Sequence, residues 1–97
     1  MILLEELDAL RREMGFVDNA VVSLVLARME VARRMGGVKK AAGLPVLPEG
    51  FTLEKALQAR REKARAVGAG ERDEAVVASV FAVLVQAAVD VEEGLQK

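Results

Sequence analysis

The feature that most restricts this chain is a spacing. Leu3, Leu7, Leu10, Met14, Val17, Val21, Leu24, Arg28, Val31, Met35 and Val38 follow one another by alternate steps of four and three. Such steps keep returning to one side of an α-helix, so the pattern predicts one long helix with a coiled-coil-like seam. A strand would scatter the same residues over both faces. One member of the seam is an arginine. A permanent cation between Leu24 and Val31 needs an explanation that hydrophobic packing alone does not supply.

The rest of the chain is punctuated clearly. Gly15 costs the helix about 1 kcal/mol against Ala without breaking it. Gly36 and Gly37 offer an end point, and Lys39 and Lys40 fit a last turn, where cations suit the helix dipole. The predicted helix therefore runs from about residue 3 to 40. The stretch "AGLPVLPEG" at 42–50 is a loop, with two prolines and two glycines. Thr52 is placed to cap a shorter second helix with Glu54 in its first turn. Leu53, Ala56, Leu57, Ala64 and Val67 give that helix an apolar face, and "VGAGERD" at 67–73 ends it. A third helix is expected from about Asp73 to Leu95. No segment alternates with period two, so no strand is expected. The predicted fold is all-α: a long first helix, a short second and a long third, in one domain over 1–97.

Such helices do not bury one another completely. A first helix of that length spans about 55 Å, and the second is too short to cover it. The third is apolar nearly all round and needs neighbours on more than one side. An intertwined helical homodimer covers this surface, and a lone chain leaves much of it wet.

Composition removes whole classes of chemistry. The chain has no His, Cys, Trp or Tyr. A histidine base, a cysteine nucleophile, disulfides and thiolate metal sites are excluded. No cofactor and no metal are expected. The formal charge of −1 gives no electrostatic footprint for nucleic acid. The apolar stretch "AVVASVFAVLVQAAV" at 75–89 is shorter than the roughly 20 residues of a membrane helix, and Ser79 and Gln86 interrupt it. It is read as a buried helix, not a membrane one. The N-terminus has no basic region before its apolar residues, so a cytoplasmic location is expected.

Arg28 and Lys39 are eleven residues apart, which returns to nearly the same direction three turns on, about 16 Å along the axis. Arg11 points roughly 100° away from Arg28, so it cannot serve the same pocket in its own chain but can serve a partner's. Each residue has an ordinary reading. In that reading Arg28 only reaches out to a glutamate of the third helix and fixes register; Lys39 and Glu92 suit solvated helix ends; Arg12, Arg33 and Arg34 suit surface charge. Taken together, cations turned into an apolar bundle suggest a pocket for a small dianion, since arginine grips a carboxylate with two parallel hydrogen bonds.

Residues 10–46 resemble the first helix and following loop of the all-helical class of chorismate mutases, the type II family. The matching features are Leu10-Arg11, Asp18, Arg28, Gly36 to Lys39, and Leu44-Pro45-Val46, without gaps. The likeness weakens through the second helix and returns at "SVFAVLVQAAVDVEEGLQ", 79–96. The resemblance implies an intertwined dimer with two active sites, in which Arg28 binds one substrate carboxylate and Arg11 of the other chain binds the second. Lys39 donates to the ether oxygen of chorismate, and Glu92 stands where the family often has Gln. The implied reaction is the pericyclic rearrangement to prephenate in aromatic amino-acid biosynthesis, in which a Glu at 92 can donate to the ether oxygen only when protonated.

The family's acid after the Leu-Pro-Val turn and its Arg-Glu pair are replaced here by Pro48, Phe51 and Thr52, its Ser or Thr on the third helix is Ala88, and the next arginine is Arg60. These departures keep other readings open. They are a 4-amino-4-deoxychorismate mutase, an isochorismate-pyruvate lyase, a non-enzymatic dimeric regulatory module, and a mutase whose pocket an activating partner enzyme completes.

Overall fold

The computed structural model describes residues 2–97, and among them the secondary structure is three helices and no strand. Helix α1 is Ile2–Ala42, α2 is Leu53–Ala66 and α3 is Glu71–Gln96. The Gly36-Gly37 pair does not end α1; it lies inside it. α3 begins two residues earlier than expected, because Gly70 serves as N-cap and Glu71, Asp73 and Glu74 then fill the first turn, where acids suit the helix dipole. Thr52 caps α2, its hydroxyl accepting from the Lys55 backbone N–H at 3.1 Å.

α3 is the central element. It packs against both α1 and α2, which do not pack on each other. α1 and α3 run parallel: Arg28 is level with Leu84, and Gly36 is level with Glu92. α2 runs antiparallel to α3, with Arg65 at Glu74 and Arg60 at Phe81. The Arg65 guanidinium donates twice to one oxygen of Glu74, at 2.8 and 3.2 Å, and so ties the end of α2 to the start of α3. Those hydrogen bonds and the charge of Glu74 raise the Arg65 pKa.

The stripe of α1 that meets α3 is not the predicted seam. It is Val25, Arg28, Met29, Ala32, Gly36 and Lys39, a strip offset by about one residue. The reason is size. Ala32 and Gly36 let two backbones approach closely, which Val31 and Met35 would prevent. The large seam residues are left uncovered in the chain: Leu24 is 69% exposed, Met35 48% and Val38 66%. Every residue from Ile2 to Leu24 is exposed. At the observed register the start of α3 lies near Gly15, so the first turns of α1 extend beyond the other two helices, and the molecule measures 62 × 25 × 16 Å.

α3 is long and apolar enough, by composition, to cross a membrane. It is not the buried helix that the sequence suggested: within the chain only Ala78 and Val85 of its apolar residues are buried, and Val76, Val80 and Val83 are exposed, because α1 and α2 cover only part of its surface. Glu74 and Glu92, at its two ends, are both buried against cations of the neighbouring helices.

Candidate active site

The site is built where α1 ends. Gly43 adopts φ +69°, in the left-handed region open to glycine, and the Leu44 N–H turns back to the Lys39 carbonyl at 2.8 Å. Pro45 then prevents any return to helix. This reversal folds the 44–51 loop over the last turns of α1. The Val46 carbonyl accepts from Lys39 Nζ at 2.6 Å. Lys39 is therefore not a solvated helix end; it is gripped between the loop and α3.

The α3 side of that grip is Glu92, only 5% exposed, with Oε1 2.6 Å from Lys39 Nζ. The contact is close but not aligned as a hydrogen bond, so Oε1 is a buried carboxylate oxygen with its charge matched and no directed donor. A buried oxygen in that state has capacity for a further partner. The approach depends on Gly36. A Cβ there would lie 3.2 Å from Glu92 Cα and Cγ and 2.9 Å from Leu95 Cδ1. Gln96 completes the junction by donating to the Gly36 carbonyl at 3.2 Å.

Arg28 stands at the other end of the site. It pairs with no glutamate of α3. Instead Nη1 donates to the Leu84 carbonyl at 2.9 Å, and the guanidinium carbon lies 5.6 Å from the centroid of the Phe81 ring. Burial first, and then the charge of Arg60, lower the Arg28 pKa from its ordinary value. It stays cationic at neutral pH. Arg60 reaches in from α2 to the same ring, 5.4 Å from the centroid, with Nη1 donating to the Ala56 carbonyl at 3.2 Å.

A cavity of about 690 Å³ joins these groups, with Arg28 and Arg60 on its wall and Lys39 and Glu92 further along α1 and α3. Between them the lining is mostly aliphatic, including Val31, Met35, Val85 and Val89, with Phe51 from the loop. That is a size and polarity suited to a small organic anion. A second space, of about 820 Å³, opens on Arg28, Arg60 and Phe81 together with Lys63 and Asp73.

Three of the four residues singled out in the sequence thus line one cavity: Arg28, Lys39 and Glu92. Arg11 does not. It is exposed on the projecting half of α1 and pairs with Asp8, at 3.4 Å. Among the substituted positions, Pro48, Phe51 and Ala88 line the cavity and bring no polar side chain to it. Thr52 does not line it; its hydroxyl is used as the helix cap. Glu49 and Arg60 line the cavity and were not singled out. Arg60 carried a legible signal. It fills the empty slot between Leu57 and Ala64 on the apolar face of α2, as Arg28 does between Leu24 and Val31. Glu49 carried none, because loop geometry decides where it points.

The fold and the cavity define a class: an all-helical protein with a cation-lined pocket and neither His nor Cys in its chain. Within that class, the family model for chorismate mutase type II matches residues 10–93, and the chain belongs to that family. It is also 37% identical, over 67 residues, to a T-protein of Enterobacter agglomerans. That match covers 68% of this chain and 17% of the T-protein, so the chain spans only a small part of the relative's length. No solved structure gives a significant match.

Proposed function

We propose that the chain is a chorismate mutase, converting chorismate to prephenate in one domain by holding the substrate and stabilising charge. The observation that carries this reading is the cavity itself. It sets Arg28 apart from a Lys39–Glu92 pair along an aliphatic wall. A pericyclic rearrangement needs no nucleophile or base. It needs the compact conformer held in place and charge stabilised on the breaking ether oxygen.

Each residue has a part. Arg28 keeps N–H groups beyond the one given to Leu84 and offers them to a substrate carboxylate. Lys39 gives one N–H to Val46, has its charge matched by Glu92 and keeps N–H groups for the ether oxygen. Glu92 holds Lys39 at that end of the cavity. The aliphatic wall excludes water and favours the folded-over conformer.

The working unit in this reading is an intertwined homodimer. The uncovered seam from Leu3 to Val38 supports it, because so long an apolar face is costly in water. Arg11, exposed in the chain, then serves the partner's cavity.

The test is a substrate panel of chorismate, 4-amino-4-deoxychorismate and isochorismate, with products read by NMR and assembly read by sedimentation. Prephenate from a dimer is the expected outcome. Salicylate with pyruvate, or the amino analogue of prephenate, would move the reading to the lyase or the amino-mutase. No turnover by a folded dimer would leave a non-enzymatic module.

A further inference from the structure

Arg28 and Arg60 line both the site cavity and the adjoining space, where their guanidiniums share the Phe81 ring, and no carboxylate pairs with either among the described residues. The helical neighbours of Arg60 on its own element are Ala56, Leu57, Lys63 and Ala64, none of them acidic. Asp73 lines the adjoining space without forming an ion pair to it. Like charges held together in a partly dry place repel, and the Arg28 pKa is lowered first by burial and then by the charge of Arg60. Each cation is fixed through one Nη1 to a backbone carbonyl, and its remaining donors are uncommitted.

We propose that Arg60 is a substrate-binding residue: with Arg28, across Phe81, it forms a clamp for one carboxylate of the ligand. This rests on the dianion-binding reading of the cavity. It goes beyond the residues that the family resemblance carries over, since position 60 lies outside every matched motif. It also answers the departures in the loop. The helix-2 arginine absent at Phe51 is made up for by an arginine further along α2. An anion between Arg28 and Arg60 converts their repulsion into two attractions, so the ligand's charge, and not only its shape, is selected. Phe81 is the platform that holds both planes in position, as cation–π stacking does.

The experiment is calorimetric titration of the full-length chain with a rigid oxa-bridged bicyclic dicarboxylate and with its monoester, alongside turnover of chorismate. Arg60→Gln should weaken the dicarboxylate about 10- to 100-fold, as expected for losing charged hydrogen bonds. It should raise KM more than it lowers kcat, and Arg60→Lys should recover only part of the loss because a point charge lacks the planar fork. Arg61→Gln, at a position outside the cavity, should match wild type. Circular dichroism controls for folding, and Arg60→Met keeps an apolar stem over Phe81 if Arg60→Gln fails to fold. The proposal is overturned if a folded Arg60 variant binds the dicarboxylate within about twofold of wild type, if wild type does not bind it, or if both neutral variants unfold, which would make Arg60 a structural residue. The two readings separate cleanly. Chorismate turnover with KM unmoved in Arg60→Gln rejects the clamp alone. Arg60-dependent dicarboxylate binding without turnover rejects the mutase activity alone.

Discussion

Gly36 sets how closely α1 and α3 approach, and its replacement can be worked through from the structure. A methyl group at Gly36 would sit 3.2 Å from Glu92 Cα and Cγ and 2.9 Å from Leu95 Cδ1. The Leu95 methyl can swing aside, but the Glu92 backbone cannot. Carbon atoms rest at about 3.5–4.0 Å, so α3 must retreat by roughly 0.5 Å. Overpacking of this kind costs about 1–3 kcal/mol. Ala in place of Gly stabilises a helix by about 1 kcal/mol. Gly37 is the internal control, because a Cβ there meets nothing within 4 Å. Gly37→Ala should show the propensity gain alone, raising Tm by about 4–8 °C for a domain of this size. Gly36→Ala should lie about 1–3 kcal/mol below Gly37→Ala, since the propensity gain is common to both. Thermal circular dichroism at one fixed protomer concentration measures the difference. The retreat also takes Glu92 from Lys39, so Gly36→Ala should lose about tenfold in turnover, a displacement of 1 Å costing up to roughly 100-fold. Equal rises in Tm for both variants, with activity intact in Gly36→Ala, would refute the close-approach account and the placement of Glu92 beside Lys39.

Other expectations follow from named contacts. Arg11→Ala and Arg28→Ala should each be inactive, and refolding them together should restore part of the activity, because one site of the mixed dimer then carries neither defect; mixed dimers that stay inactive would remove Arg11 from the partner's site. Glu92→Gln keeps the shape and brings a permanent donor to the ether oxygen, so it should keep or raise turnover in initial-rate assays. A folded Glu92→Gln without turnover would remove Glu92 from that role. Thr52→Ala should cost about 1 kcal/mol through loss of the cap to the Lys55 N–H, with little change in turnover, as read by chemical denaturation and initial rates.

How much was legible varies with the kind of interaction. Helix number, the cap at Thr52 and the loop between the prolines are local, set by spacing, capping and chain stiffness within a few residues, and the sequence by itself determined them. It also determined that Arg28 and Lys39 face one way, since eleven residues close three turns of helix whatever lies opposite. It did not determine which face of α1 meets α3. The periodic seam pointed to Val31 and Met35, and the packed stripe is Ala32 and Gly36, because close packing of two backbones is decided by the smallest side chains and not the most apolar ones. The fate of each ionic group was likewise tertiary. Arg28 found a carbonyl and a ring in place of an acid, Glu92 was buried where a helix end suggested solvent, and Arg60 entered a cavity that only the crossing of α2 over α3 creates. Charge and periodicity are properties of a segment. Burial and the choice of partner depend on which other segment arrives, and for these residues that segment lies up to sixty positions away in the chain.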